Sequence, residues 1–279
     1  MLKAHIKNKY YKPFRKKFAE IKKKQTFKKN LRATDVFIVG HPKSGNTWLS
    51  RMIASLKEHQ FDNNVNLENI NSFIPTFHAK DNNIQMYADY PNPRVFRNEG
   101  PIYPEEYPKT IYIVRDPRSV YVSYYHHCVH DTQNHDWPID EFVTEMLTHG
   151  GIHALEPYLI RWDKQFLQWK ERSLKQSVKI IKYEDIHLDT RTVLIEMADY
   201  IGLDYDEEMI SKALDKGTFK NMRKEEITYG AAPYSGDKGE KGFFVRKGKI
   251  DGWKDELSSQ IVNKICSEFS EAMKSLGYL

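Results

Sequence analysis

The chain has 279 residues, of which 40% are apolar and 29% are charged, as in an ordinary globular enzyme. This length can bury a sizeable core in one large α/β domain or in two small ones. No uncharged apolar run approaches the ~20 residues that a helix needs to cross a bilayer. Two cysteines, Cys128 and Cys266, exclude a disulfide framework and indicate a reduced, cytoplasmic setting.

The charge is unevenly distributed. Residues 1–32 contain 13 Lys and Arg against one acid, a net charge of +12, whereas the remainder carries −7. Because the body lacks a basic excess, we expect no nucleic-acid partner. We predict a basic N-terminal arm over residues 1–32 and a single domain over residues 33–279. Phe14, Phe18 and Ile21 have helical spacing in the arm, which is either a solvated helix or tail, or a peripheral contact with anionic lipid.

The first predicted unit of the domain is a strand followed by a helix. Residues 34–40 (TDVFIVG) form a short β-branched run that predicts a buried parallel strand, and residues 47–56 have apolar positions at helical spacing. The loop between them, HPKSGN, contains glycine. A strand, a glycine-containing loop and a helix in this order direct backbone N–H groups at a phosphate.

The rest of the chain alternates between strands and helices. Further strands are predicted at residues 110–114 and 177–181, and a helix begins at Pro117 after Asp116 as N-cap and runs to about His130. Other helices are predicted at residues 139–147, 153–172, 190–201, 206–214 and 257–275. Residues 61–93 are expected to be irregular with short helices, and residues 236–248 to form a mobile Gly/Lys-rich loop. We predict an α/β fold: a mainly parallel sheet flanked by helices, similar to P-loop nucleotide kinases.

The loop over residues 40–47 (GHPKSGNT) has the spacing of the nucleotide-triphosphate motif G-x-x-x-x-G-K-[ST], with one departure. Asn46 stands where the motif has lysine, and the loop's lysine is Lys43. Such a loop suits a nucleotide with a single 5′ phosphate better than a metal-bound triphosphate. The alternative is an ordinary strand-to-helix turn.

Five ordered blocks between residues 34 and 257 resemble the cytosolic-type sulfotransferase family. PKSGNTW is similar to its 5′-phosphosulfate motif, and VRDPRSVYVSYYHH to its 3′-phosphate motif, with Arg115 and Ser123 eight residues apart. VRKGKIDGWKDEL resembles its C-terminal Arg-Lys-Gly segment. KYED and TFKNM resemble the segments around the adenine. On these blocks the chain is identified as a member of the family.

The resemblance implies a co-substrate, 3′-phosphoadenosine 5′-phosphosulfate (PAPS), and release of 3′-phosphoadenosine 5′-phosphate (PAP), without a metal. The 5′ phosphate would lie on the amides of residues 44–47, and the planar fork of arginine suits the 3′ phosphate. Trp48 and Phe219 would stack on adenine and Tyr183 would bind its edge. The implied donor-site residues are Lys43, Ser44, Gly45, Asn46, Thr47, Trp48, Arg115, Ser123, Tyr183, Thr218, Phe219, Arg246, Lys247 and Gly248. The alternatives are solvated charges for the basic residues and a core position for Trp48.

The resemblance also implies catalytic roles. Lys43 would stabilise the charge that develops on the leaving oxygen, and Ser123 would divert Lys43 before the acceptor binds. Where the family has Lys-[Ser/Thr]-His, with histidine as base, this chain has Arg97-Asn98-Glu99. A glutamate can accept the proton if desolvation raises its pKa, and Arg97 can replace the family's lysine as an anion contact. Related sulfotransferases that act on carbohydrates use a glutamate base. The alternatives are an Arg97–Glu99 salt bridge and His78 as base.

Other interpretations remain open at this point. His126, His127, Cys128 and His130 suggest a metal, but no second ligand pair has zinc spacing, so none is expected. The functional alternatives are a P-loop nucleoside or sulfate-activating kinase and a non-catalytic nucleotide-binding module. Residues 61–93 combine polar and aromatic side chains, which suits a small-molecule, sugar or lipid head-group acceptor with a hydroxyl or amine.

Overall fold

The structure is a computed structural model that describes residues 12–77, 84–132, 137–150, 160–231 and 243–279. Side chains are described within these ranges except at residues 12–18 and 130–132.

Four parallel strands form the centre of the domain. They are β1 Val36–Gly40, β2 Val95–Asn98, β3 Lys109–Val114 and β4 Val178–Lys182. The strand order is β2-β1-β3-β4, and every neighbouring pair is parallel. All four carboxyl ends therefore lie at one edge of the sheet, with β1 and its phosphate loop between β2 and β3.

Helices connect the strands and cover the sheet. In chain order they are α1 Lys12–Asn30, α2 Asn46–Leu56, α3 Pro117–Thr132, α4 Ile139–His149, α5 Trp162–Ser173, α6 Tyr183–Leu188, α7 Thr190–Ile201, α8 Glu207–Lys216, α9 Phe219–Tyr229, α10 Ser259–Glu268 and α11 Ser270–Leu276. Short 3₁₀ turns occur within residues 58–106. The prediction of a single α/β domain with a flanked parallel sheet is confirmed.

The core lies on both faces of the sheet. Along β1, Phe37 and Val39 pack into one apolar cluster, while Val36 and Ile38 pack into the other. This alternation follows from the two-residue repeat of a strand. All five residues of β1 are buried, as expected for a central parallel strand.

The final helix differs from the prediction. A single helix over residues 257–275 is wrong: α10 ends at Glu268 and α11 begins at Ser270. Phe269 leaves helical geometry with φ −108° and ψ 18°, and its ring is buried against Tyr121 and Trp162, at 6.0 and 5.4 Å between centroids. Tertiary packing of one aromatic ring thus interrupts an otherwise continuous helical pattern.

The carboxyl half of α1 packs on the domain, so the expectation of a wholly solvated arm is wrong there. Phe27 is only 2% exposed, and its ring lies 5.4 Å from that of Phe77 and 5.6 Å from that of Tyr103. Nζ of Lys24 forms a salt bridge with Oε1 of Glu105 at 2.6 Å. A lone aromatic residue produces no periodic pattern, which is why the sequence did not indicate this contact. Among the described helices, none combines the length and apolarity needed to span a membrane.

Candidate donor-binding and catalytic site

The loop after β1 has the backbone geometry of an anion-binding turn. Lys43 and Gly45 both have left-handed backbones, with φ 69° and 105°. A Cβ at Gly45 would lie 2.7 Å from Cδ2 of Tyr183, so the ring leaves room only for glycine. α2 begins at Asn46, directly after this turn. The loop therefore presents a helix N-terminus to the carboxyl edge of the sheet.

Several buried polar atoms of this loop have no hydrogen-bond partner among the described residues. They are Nε2 of His41, Oγ of Ser44, Oδ1 of Asn46 and, beside the loop, Nε of Arg115. The backbone N–H of Ser44 already donates to the carbonyl of His41 at 3.1 Å, so the amides of residues 45–47 are better placed for a ligand. Unsatisfied buried polar atoms cost free energy. Oγ of Ser44 and Nε of Arg115 can both donate, so these two atoms fit a site for a polar, anionic group.

On the β2 side, Arg97 is buried beneath the loop. Its Nη1 donates to Oγ1 of Thr47 at 2.9 Å, and Nη2 donates to Asn71 at 3.0 Å and to Thr76 at 2.9 Å. Burial lowers the pKa of Arg97, while the charge of Glu99 opposes that shift. Within the described residues no carboxylate lies within ion-pair distance of Arg97, so the alternative of an Arg97–Glu99 salt bridge is wrong. No sequence pattern indicates the roles of Asn71 and Thr76.

Glu99 follows the end of β2 and is half-buried. Its Oε1 accepts from Nδ2 of Asn46 at 3.4 Å, and the same amide also approaches the carbonyls of Gly40 and His41 at 3.4 Å each. The residue that replaces the motif's lysine thus connects the loop to the predicted base. His78, the other candidate base, lies outside the described residues.

On the β3 side, Arg115 connects the loop to the C-terminal segment. Its Nη1 donates to the carbonyl of Lys43 at 3.1 Å and its Nη2 to that of Lys249 at 3.3 Å. The guanidinium lies 4.1 Å from the ring centre of Tyr183. Ser123 is half-buried on α3, which begins after Asp116 accepts a hydrogen bond from the N–H of Arg118 at 2.9 Å, as predicted for an N-cap.

Arg246 and Lys247 share one carboxylate that sequence reasoning missed. They donate to Oε1 of Glu256 at 2.8 and 2.7 Å, and His126 contacts Oε2. Burial acts to raise the pKa of Glu256, but the hydrogen bonds from these three residues outweigh it and lower the pKa to about 2. Glu256 lies in the block WKDEL, yet nothing in its spacing distinguishes it from a surface glutamate.

The predicted adenine-binding residues are brought together, although two of them also have structural roles. Nε1 of Trp48 donates to the carbonyl of Gly217 at 2.8 Å, and its half-buried ring lies 5.4 Å from that of Tyr183. The hydroxyl of Thr218 accepts from the N–H of Asn221 at 3.3 Å and caps α9. Phe219 is 44% exposed.

Gly248 and Lys43 each contact an aromatic side chain of this region. Gly248 has a left-handed backbone at φ 59°, and a Cβ there would lie 2.8 Å from the ring of Phe219. Nζ of Lys43 lies 4.4 Å from the ring centre of Phe244. Over the parts of the chain that the structure describes, no group of three or more His, Cys, Asp or Glu side chains is arranged to hold a metal ion.

A separate surface cavity of about 480 Å³ lies away from this edge. Its rim includes Gln60, which follows α2, and Tyr90 and Pro91, which precede β2. It therefore lies toward the amino ends of the strands. Elsewhere in the described part of residues 61–93, Asn71 and Thr76 accept hydrogen bonds from Arg97.

Comparison with known proteins identifies the class. The sequence profile of the family "Sulfotransferase domain" matches residues 33–277. The amine sulfotransferase of Oryctolagus cuniculus is 22% identical over 88% of this chain and 82% of that protein. Cytosolic sulfotransferase 14 of Arabidopsis thaliana is 26% identical over 95% of this chain and 82% of its own length.

Solved structures share the fold. Mouse sulfotransferase SULT7A1, crystallised with PAP, superposes with a TM-score of 0.60 at 20% identity, covering 87% of this chain and 84% of that one. Retinol dehydratase in complex with androsterone and PAP superposes with a TM-score of 0.62 at 19% identity, covering 88% of this chain and 82% of that one.

The chain belongs to the sulfotransferase domain family. It is an enzyme, a PAPS-dependent sulfotransferase, as the five sequence blocks predicted, and the kinase and non-catalytic alternatives are set aside.

Proposed function

We propose that this enzyme transfers a sulfuryl group from PAPS to the hydroxyl or amine of a small-molecule acceptor in the cytoplasm, with Glu99 as the general base and without a metal. The observation that carries the proposal is the 3.4 Å contact between Glu99 and Asn46 of the phosphate loop. It puts a carboxylate at the same strand edge as the loop that would hold the 5′ phosphosulfate.

The donor supplies an activated sulfuryl group whose leaving oxygen belongs to the 5′ phosphate. The N-terminus of α2 and the hydroxyl of Thr47 bind that phosphate, and Arg97 fixes the hydroxyl through its 2.9 Å bond. Lys43, also on the loop, neutralises the charge that grows on the leaving oxygen. Its contact with the Phe244 ring holds the ammonium beside the loop.

The 3′ phosphate would be bound by Arg115, Ser123 and Arg246, with Lys247 and Gly248 close by. The first support is that Arg115 and the 246–248 segment are joined through the carbonyl of Lys249. The second is that Nε of Arg115 is buried without a partner among the described residues. Trp48, Tyr183 and Phe219 would enclose the adenine, and Ser123 would restrain Lys43 until the acceptor arrives.

Glu99 removes the proton from the acceptor as the new S–O or S–N bond forms. A general base acts from about 2.6–3.2 Å, so the acceptor's reacting atom must lie between this carboxylate and the loop. Asn46 holds one carboxylate oxygen and leaves the other for that proton.

The acceptor class can be tested directly. Purified enzyme and labelled PAPS would be incubated with a phenol, an aliphatic alcohol or sterol, an amine, a monosaccharide and a lipid head group, and product formation would be measured. We expect turnover with at least one class and its loss in Glu99→Gln. Unchanged turnover in Glu99→Gln would contradict Glu99 as the base, and His78 would then be replaced next.

We also propose that the basic arm contacts anionic lipid. Lys22, Lys23 and Lys29 are exposed on α1, which Phe27 fixes to the domain. The double variant Lys22→Glu/Lys23→Glu should weaken binding to phosphatidylserine vesicles, because it replaces positive charge with negative charge. Added salt should also weaken binding of the wild type, because it screens exposed charges. Lys264→Glu/Lys274→Glu serves as the control, and equal binding by both double variants would contradict the proposal.

A further inference from the structure

The segment of residues 243–250, which carries Arg246, Lys247 and Gly248, has no regular secondary structure. Its backbone is instead held by side chains from other elements. The carbonyl of Gly248 accepts from His187 at 2.6 Å, that of Lys249 from Arg115 at 3.3 Å, and that of Ile250 from Ser119 at 2.6 Å.

The other end of the segment is held by α9. Oε1 of Glu226 accepts from the N–H of Phe244 at 2.5 Å, and Oε2 accepts from the N–H of Val245 at 2.9 Å. Nη2 of Arg223, one turn earlier on the same helix, donates to the carbonyl of Arg246 at 3.0 Å. The Arg223 guanidinium also lies 3.6 Å from the ring centre of Phe243.

These contacts make α9 a common support for two parts of the donor site. Its first residue, Phe219, is a predicted adenine contact and packs on Gly248. Glu226, two turns later, fixes the backbone immediately before Arg246. A charged acceptor with two N–H donors makes strong, directional hydrogen bonds. A small displacement of Val245 would move the guanidinium of Arg246 away from its phosphate.

We infer that Glu226 and Arg223 are positioning residues for recognition of the 3′ phosphate: they touch no part of the nucleotide and act by fixing the backbone that carries Arg246. This inference rests on the proposed 3′-phosphate site. The selectivity between PAP and adenosine 5′-phosphate (AMP) then depends on a helix outside that site.

The test is a comparison of two nucleotides by calorimetry. PAP and AMP would be titrated into the full-length wild type, Glu226→Gln and Arg223→Gln. Glutamine keeps the size of Glu226 but faces one backbone N–H with an amide donor instead of an acceptor. We expect the affinity for PAP to fall about tenfold in each variant, which is ~1.4 kcal/mol. The affinity for AMP should stay within about twofold in Glu226→Gln. In Arg223→Gln it should fall, but by less than the affinity for PAP, because the Arg223 guanidinium also lies 5.6 Å from the ring centre of Phe219.

The ratio of the two affinities separates positioning from general destabilisation. Glu208→Gln, on the exposed face of α8, is the matched control and should leave the ratio unchanged. Two results would overturn the roles of Glu226 and Arg223 but leave the proposed 3′-phosphate site intact. One is a preference for PAP that is as large in both variants as in the wild type, and the other is an equal fall in affinity for PAP and AMP. Equal affinities in the wild type overturn the proposed 3′-phosphate site together with it. Should Glu226→Gln not fold, Arg223→Gln and the milder Arg223→Lys decide the question.

Discussion

The two flanks of the phosphate loop hold their cations in different ways. On the β3 flank, Arg246 and Lys247 share the carboxylate of Glu256, and Arg115 donates to backbone carbonyls. On the β2 flank, Arg97 is 5% exposed and is held by two hydroxyls and one amide, with no carboxylate in ion-pair distance among the described residues.

This difference suggests different dependence on the bound donor. A buried cation with only neutral partners retains a large part of its desolvation cost. A bound anion offsets that cost on the β2 flank more than on the β3 flank, where Glu256 already supplies a negative charge. Arg246 and Lys247 on the β3 flank would then be organised before the donor binds. Arg97 on the β2 flank, and also Arg115, would gain a counter-charge only from the bound donor.

The largest expected effect is at Glu99. Glu99→Gln keeps the contact with Asn46 but cannot accept a proton, so turnover should fall about 10²–10⁴-fold with little change in donor affinity. Initial rates and calorimetric affinity for PAP would be measured together, with Glu208→Gln as control. A fall in PAP affinity equal to the fall in rate would mean that Glu99 organises the donor site instead.

Lys43 tests charge stabilisation separately from proton transfer. Lys43→Met should lower turnover about 10²–10³-fold, because it removes the cation beside the leaving oxygen. A more acidic acceptor needs less help with its proton, so it should partly rescue Glu99→Gln and leave Lys43→Met almost unchanged. Equal rescue of both variants would show that the two residues do not have the separate roles assigned to them.

Replacing one arginine on each flank tests whether the two flanks bind different phosphates of the donor. Arg115→Met should weaken PAP binding by about 10–100-fold and reduce the preference over AMP, since a charge-assisted contact contributes ~1.5–3 kcal/mol. Arg97→Met should weaken both nucleotides alike, because it acts beneath the 5′ phosphate. If Arg97→Met instead alters the PAP-to-AMP ratio as Arg115→Met does, the two flanks are not separate.

The smallest expected effect is the pH dependence from Glu256. Its pKa is lowered to about 2, so the pairing stabilises the folded state above the ordinary glutamate range near 4.5 and is lost as the pH falls from there toward 2. The free energy of unfolding of the wild type should exceed that of Glu256→Gln at pH 6, and the gap should narrow below pH 4.5. Urea titrations at several pH values measure this, and a gap that widens in acid would contradict it.

Sequence reasoning predicted best where a short motif determines local geometry. The strand, loop and helix around Gly45, the cap at Asp116 and the parallel sheet follow from local patterns, and the structure has all three. Sequence patterns did not predict the partners of Arg97 and Arg246. Asn71 is distant from Arg97 in the sequence, and Glu256 has no distinguishing spacing, so both become partners only through tertiary packing. Phe27 and Phe269 were missed for the same reason, since one buried ring leaves no periodic signal.

The strand order has a consequence for how the protein survives in a cell. Residues at the carboxyl ends of β1, β2, β3 and β4 border the proposed donor site, so a partly folded chain that lacks the edge strand β2 would lose Arg97 and Glu99 from it. Nucleotide binding therefore selects the fully paired sheet. At 100 times its Kd, a ligand of the native state adds ~2.7 kcal/mol against unfolding. We therefore expect limited proteolysis of the purified enzyme to be faster without PAP than with it, because the unbound native state lacks this stabilisation.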